Sequence, residues 1–140
     1  MTVYLDASVL VGLFTVDTFS LRATAFLKTQ KTHPDCQRFC RRGVRFGSGP
    51  PRPNSGGHAQ AAHRMFAQMD GWLAQSAKRI EIVSADVATA QGFMRRLDLT
   101  LRTPDAINIA MTQRISASLA TFDDQMRVAA AAIGVAIVSI

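Results

Sequence analysis

Three aspartates occupy positions where an α/β chain does its chemistry. Asp6 directly follows the β-rich run Thr2–Leu5, and Asp123 follows the apolar run Ala117–Thr121 by two residues. Asp105 stands in the first turn of a helix opened by Thr103-Pro104. In open parallel sheets, ligands gather beyond the carboxyl ends of the strands. Carboxylates brought to one such edge repel one another unless a cation neutralises them, and Mg²⁺ or Mn²⁺ prefers oxygen ligands of this kind. Singly, each acid is an ordinary cap or helix-dipole residue. Together they point to a divalent-metal site.

The elements that must position these acids follow from the hydrophobic pattern. Ser8–Phe14 is apolar and starts a short helix. Thr18-Phe19-Ser20 supplies capping hydroxyls for a second, whose stripe is Leu21, Ala25, Phe26 and Leu27. Ala61–Lys78 is helical, with Met65, Phe66, Met69, Trp72 and Leu73 spaced by threes and fours as a core or dimer stripe. Ile80–Val83 is expected as a strand, and Ser84 caps a helix running through Leu97. Thr103-Pro104-Asp105 combines a hydroxyl cap, a proline at the first helical position and a first-turn acid. Asp124–Ile133 is a helix that Gly134 can end, and Val135–Val138 is expected as a last buried strand. Strands alternating with helices require a parallel sheet covered on both faces. The fold class is α/β.

Length and composition narrow the function. The 140 residues make one domain. With 48% hydrophobic and 19% charged residues, a wholly disordered chain, a collagen-like repeat and a coiled coil are excluded. No apolar run reaches the roughly 18 residues of a membrane helix, and Met1-Thr2-Val3-Tyr4-Leu5-Asp6 lacks the basic start of a signal peptide. Cys36 and Cys40 are the only cysteines, so no disulfide framework is indicated and a cytoplasmic location is expected. The net charge of +6 suits a nucleic-acid binder, but residues 31–60 carry +5 of it. That window also holds both cysteines, four of the five prolines and five of the nine glycines. The basicity belongs to one segment.

Tyr4-Leu5-Asp6-Ala7-Ser8, Thr103-Pro104-Asp105-Ala106-Ile107 and Thr121-Phe122-Asp123 resemble the three acidic motifs of PIN domains, and within them the VapC-type toxins of bacterial toxin–antitoxin modules. The resemblance covers about residues 1–30 and 60–140, in the family's order. It implies a PIN-like three-layer fold, a central parallel sheet flanked by helices, and a metal-dependent RNase. It implies Mg²⁺ or Mn²⁺ ligand and catalytic roles for Asp6, Asp105 and Asp123, with Ser8 and Thr121 orienting the carboxylates. Asn108 stands where such toxins often carry a polar residue facing the site. The implied partners are an RNA substrate, a cognate antitoxin and a second copy of the chain, with no membrane. Arg95, Arg96 and Arg102, just before the Asp105 motif, are placed to contact RNA. They also suit a solvated helix end.

The family pattern carries a further acid, normally Glu, which here would fall near residues 36–48. None is present there, and the chain's one glutamate is Glu81. This favours an alternative, a PIN-like domain that binds antitoxin or RNA without cutting. A receiver- or phosphatase-like α/β domain also places Asp after its first strand, but the DxD pair and late lysine are missing. Residues 31–60 form an anomalous Gly/Pro/Arg-rich loop segment, of which 36–60 is expected to hold no long helix. Zinc ligation by Cys36 and Cys40 with His33 and His58 lacks closed-site spacing.

GC-rich coding DNA read out of frame gives this composition. Shifted by one nucleotide, permitted codons yield an alanine-rich helix with Glu where the Gly43-Val44 codons stand. A compensated pair of frameshifts is therefore expected, near Thr29–Asp35 and near His58–Ala61. Resequencing the coding DNA across codons 28–62 checks this, and an uninterrupted native frame excludes it.

Overall fold

The computed structural model describes residues 2–29, 35–37 and 56–140. Its sheet is built around Val3–Leu5 (β1), which pairs in parallel with Asp35–Gln37 (β2) on one side. Lys78–Ile80 (β3) extends the sheet beyond β2, and Ser118–Ala120 (β4) pairs with the other side of β1, so the order is β3-β2-β1-β4. The helices described are Ala7–Phe14 (α1), Ser20–Thr29 (α2), Gly56–Ser76 (α3), Ser84–Met94 (α4), Thr103–Arg114 (α5) and Asp124–Ile133 (α6).

The two-residue period of β1 divides the core into two layers. Val3 and Leu5 pack with Leu10, Phe26, Met69 and Leu73 from α1, α2 and α3. Tyr4 and Leu119 pack on the other face with Ile109, Met111, Met126 and Ala130 from α5 and α6. A parallel sheet buried on both faces between helices is the three-layer α/β arrangement expected.

The structure differs from the sequence expectation at several bounds. The segment expected as loop contributes β2 at Asp35–Gln37 and the opening turns of α3 from Gly56. Backbone pairing with two neighbours makes β2 a strand without an apolar side-chain signature. The rest of the 31–60 segment lies outside the described residues, as do His33 and Cys40 of the zinc reading. The third strand lies at Lys78–Ile80 rather than Ile80–Val83, because its register is set by β2. The last expected strand is reduced to a single bridge, Leu119 to Ile137. Gly134 ends α6 at φ 90°, where a side chain would strain the backbone.

α4 and α5 pack along each other through the small buried residues Ala90, Ala106 and Ala110. One ion pair fixes their ends. Asp86, 1% exposed, accepts from Arg114 Nε at 2.7 Å and from its NH2 at 3.2 Å. Asp86 Oδ2 also accepts the Val83 amide at 2.9 Å, capping α4. Removing the guanidinium leaves a buried carboxylate without its counter-charge. Arg114→Met is expected to cost about 3 kcal/mol, read as a lower urea midpoint at unchanged slope.

Candidate acid site at the carboxyl edge of the sheet

β1 and β4 end in register, Leu5 opposite Ala120, so the residues that follow them meet at one edge. The Asp6 amide donates to the Ala120 carbonyl at 3.0 Å and carries the pairing one residue further. Asp6 is 6% exposed and caps α1. Its Oδ2 accepts from the Ser8 amide at 3.2 Å, Ser8 Oγ at 2.7 Å and Thr121 Oγ1 at 3.0 Å.

The two hydroxyls are themselves held. Ser8 Oγ accepts the Phe122 amide at 3.0 Å, and Thr121 Oγ1 accepts the Asp123 amide at 3.0 Å. Asp123 in turn caps α6, its Oδ1 accepting the Met126 amide at 2.9 Å. These bonds leave Asp6 Oδ1 and Asp123 Oδ2 as the acceptors available to a cation. Three helix N-termini, those of α1, α5 and α6, bring an aspartate to this region, and their partial positive charge favours anions there.

Asp105 is half-buried in the first turn of α5. Burial pushes its carboxyl above the ordinary Asp range, and the negative charges of Asp123 and Asp6 push it further. The Arg102 charge and backbone pull in the opposite direction. The three sequence-selected acids therefore lie within electrostatic reach of one another. Among the described residues, no group of three His, Cys, Asp or Glu side chains is already drawn together as an ion-holding set. Three acidic oxygen donors are chemically suited to Mg²⁺ or Mn²⁺ and unsuited to soft metals.

The supporting residues divide. Ser8 and Thr121 bond directly to Asp6. Asn108 is buried and its Oδ1 accepts the Tyr4 hydroxyl at 3.0 Å, so it ties α5 to β1 one turn after Asp105. Of the three arginines, Arg102 is the one whose charge acts on Asp105. Arg96 instead pairs with Asp98 at 2.7 Å and reaches the Ala132 carbonyl at 3.5 Å, at the far end of α6 from its Asp123 cap. Arg95 is exposed at the C-terminus of α4. Sequence reasoning assigned no site role to Gly12, Phe19 and Phe122, although Phe122 in the Thr121–Asp123 turn stacks on Phe19 and both pack against Gly12. The signal was available: Phe122 stands between two site residues, and Gly12 interrupts an apolar helix.

No protein-family model matches the sequence, and no curated protein is significantly similar to it. Solved structures do match in fold. Mycobacterium tuberculosis VapC20, a Sarcin-Ricin loop cleaving toxin, superimposes with a TM-score of 0.74 at 13% identity over 99% of each chain. FitAcB from Neisseria gonorrhoeae gives 0.68 at 19% identity, over 98% of this chain and 96% of its own. VapBC2 from Rickettsia felis, bound to a DNA fragment from its promoter, gives 0.69 at 11% identity over 99% and 98%. The chain has the PIN-like three-layer fold of these proteins.

The raised Asp105 carboxyl makes stability depend on pH. The folded chain holds this proton more tightly than the unfolded chain, whose Asp titrates near 3.8. The cost of ionising Asp105 is thus fully present above the raised value and is relieved as pH falls through it toward 3.8. In EDTA at neutral pH, Asp105→Asn is expected to raise the melting temperature, with the gain shrinking on acidification. Thermal melts of both proteins across that range check the sign.

Proposed function

We propose that the protein is a Mg²⁺- or Mn²⁺-dependent endoribonuclease, the toxin of a toxin–antitoxin pair, hydrolysing RNA phosphodiester bonds. What supports this is that Asp6 and Asp123 follow strands ending in register at the carboxyl edge of a PIN-like sheet, and that Asp105, raised first by burial, also feels both their charges. The toxin assignment draws on the toxin and toxin–antitoxin structures that share the fold.

In this mechanism Asp6, Asp105 and Asp123 would hold the ion, whose bound form would supply Lewis acidity toward water and the phosphodiester. Ser8 and Thr121 fix Asp6 through Oδ2, so Oδ1 is presented in one orientation. Arg102, exposed beside Asp105, offers a guanidinium to an RNA phosphate. The proposed partners are RNA, a cognate antitoxin and a second copy, in the cytoplasm. The exposed apolar side chains Val16 and Leu21 at the α1–α2 corner, and Val87, Met94 and Leu97 at α4 and just beyond it, give surface for such contacts.

A second reading has its own observation. Glu81, the chain's one glutamate, lies between β3 and α4, where its carbonyl accepts Arg114 at 3.0 Å. The sequence has no acid at residues 36–48, where the family pattern carries its fourth. This favours a domain that binds antitoxin or RNA without cutting.

Incubation of the purified protein with RNA in Mg²⁺, Mn²⁺ or EDTA separates the readings. Slow cleavage that needs metal, a metal-induced rise in melting temperature and loss of both in Asp6→Asn are expected. A version with residues 36–60 restored to the helical frame is expected to cleave about 10–100-fold faster, the usual effect of regaining a supporting ligand. Neither cleavage nor a metal-induced shift in either version would leave the non-cleaving reading.

A further inference from the structure

The turn that carries Thr121 and Asp123 is gripped from outside the acid site. Phe122, between them, stacks on Phe19 of the α1–α2 corner with ring centroids 4.5 Å apart and planes 23° apart. The Arg22 guanidinium carbon lies 5.3 Å from the Phe122 ring centroid and closes over the ring. Arg22 is itself held, donating to the Ile140 carbonyl.

Beneath the rings is Gly12, buried in α1. A methyl group there would stand 3.3 Å from Phe19 Cβ, closer than carbon atoms ordinarily pack, and 3.4 Å from Phe122 Cε2, at the near limit of ordinary contact. Phe19 Cβ is next to its backbone and cannot swing aside, so the α1–α2 corner that carries it must give, and the stacked Phe122 ring moves with it. The Phe122 backbone is directly bonded to the site, because its amide donates to Ser8 Oγ, the same hydroxyl that donates to Asp6. The next amide, that of Asp123, donates to Thr121 Oγ1. Any shift of the Phe122 ring is therefore carried to both hydroxyls that orient Asp6 and to the backbone of Asp123.

We propose that Gly12, Phe19 and Phe122 are positioning residues: Gly12 admits the aromatic stack, and the stack sets where Thr121 and Asp123 stand against Asp6. This deepens the nuclease reading and rests on it only for its metal arm. The glycine serves a close approach, so its replacement acts on the acid turn more than on the core as a whole.

The test compares Gly12→Ala, Phe122→Ala and Phe122→Leu with Met69→Ala, a control in the same core layer that does not bear on the turn. Amide hydrogen exchange of Phe122 and Asp123 is read against that of Asp6, whose amide is held by the Ala120 carbonyl. In Gly12→Ala and Phe122→Ala, Phe122 and Asp123 are expected to exchange at least about tenfold faster relative to Asp6. Met69→Ala accelerates all three together, and Phe122→Leu recovers part of the protection. Calorimetric titration with Mn²⁺ is expected to show about tenfold weaker binding in the first two variants and none of that loss in the control. Exchange that stays in step with Asp6 overturns the proposal, and so does altered exchange with unchanged Mn²⁺ affinity. If the parent protein binds no Mn²⁺, the nuclease reading falls while the exchange ratio still decides the positioning role.

Discussion

One carboxylate oxygen organises this molecule. Oδ2 of Asp6 accepts three hydrogen bonds, from the Ser8 amide, the Ser8 hydroxyl and the Thr121 hydroxyl. The first two start α1, and the third joins the exit of β1 to the exit of β4. The same hydroxyls receive the amides of Phe122 and Asp123, so the start of α6 is registered against the start of α1 through two side chains. A buried charge that loses its donors costs far more than an exposed one. The acid edge is thus the most constrained part of the sheet, and β1 stands beside both β2 and β4 to support it.

The legible features were those with local chemistry. Thr103-Pro104-Asp105 announces a helix start, Gly134 a helix end and Asp123 a cap; the helix does begin there, with Arg102 rather than the Thr103 hydroxyl at its cap, and the other two hold as expected. The fold class followed from the alternation of elements. Features set across long sequence distances were not visible. The Tyr4–Asn108 bond spans 104 residues, and the Asp86–Arg114 pair spans 28. β2 owes its existence to backbone pairing on both sides, which leaves no mark in its own side chains. Arg96 looked well placed for RNA because Asp98, two residues on, was not weighed as its partner.

Low identity to structures of the same fold has a physical basis in these short strands. β1, β3 and β4 are each three residues long, and most of the core demands only apolar volume. A substitution that keeps the volume keeps the layer. What cannot drift freely is the small set bonded at the carboxyl edge, together with close approaches such as Gly12. A chain can therefore share 13% of its residues with VapC20 and still superimpose along nearly its whole length.

The pairing of β1 with β4 also imposes an order on assembly. Asp6 is made 115 residues before Thr121, which supplies one of its three bonds. Loops that long close at an entropic cost that must be met before the contact rewards it. Folding during synthesis proceeds from the N-terminal end, so α1, α2 and α3 can gather while the acid edge is still open. A polypeptide halted before Ser118 can pair β1 with β2 but lacks β4 on its other side, and with it the second half of the site. Under the proposed nuclease reading, the site could form only after Asp123 had been made, and a growing chain short of it would carry no finished site.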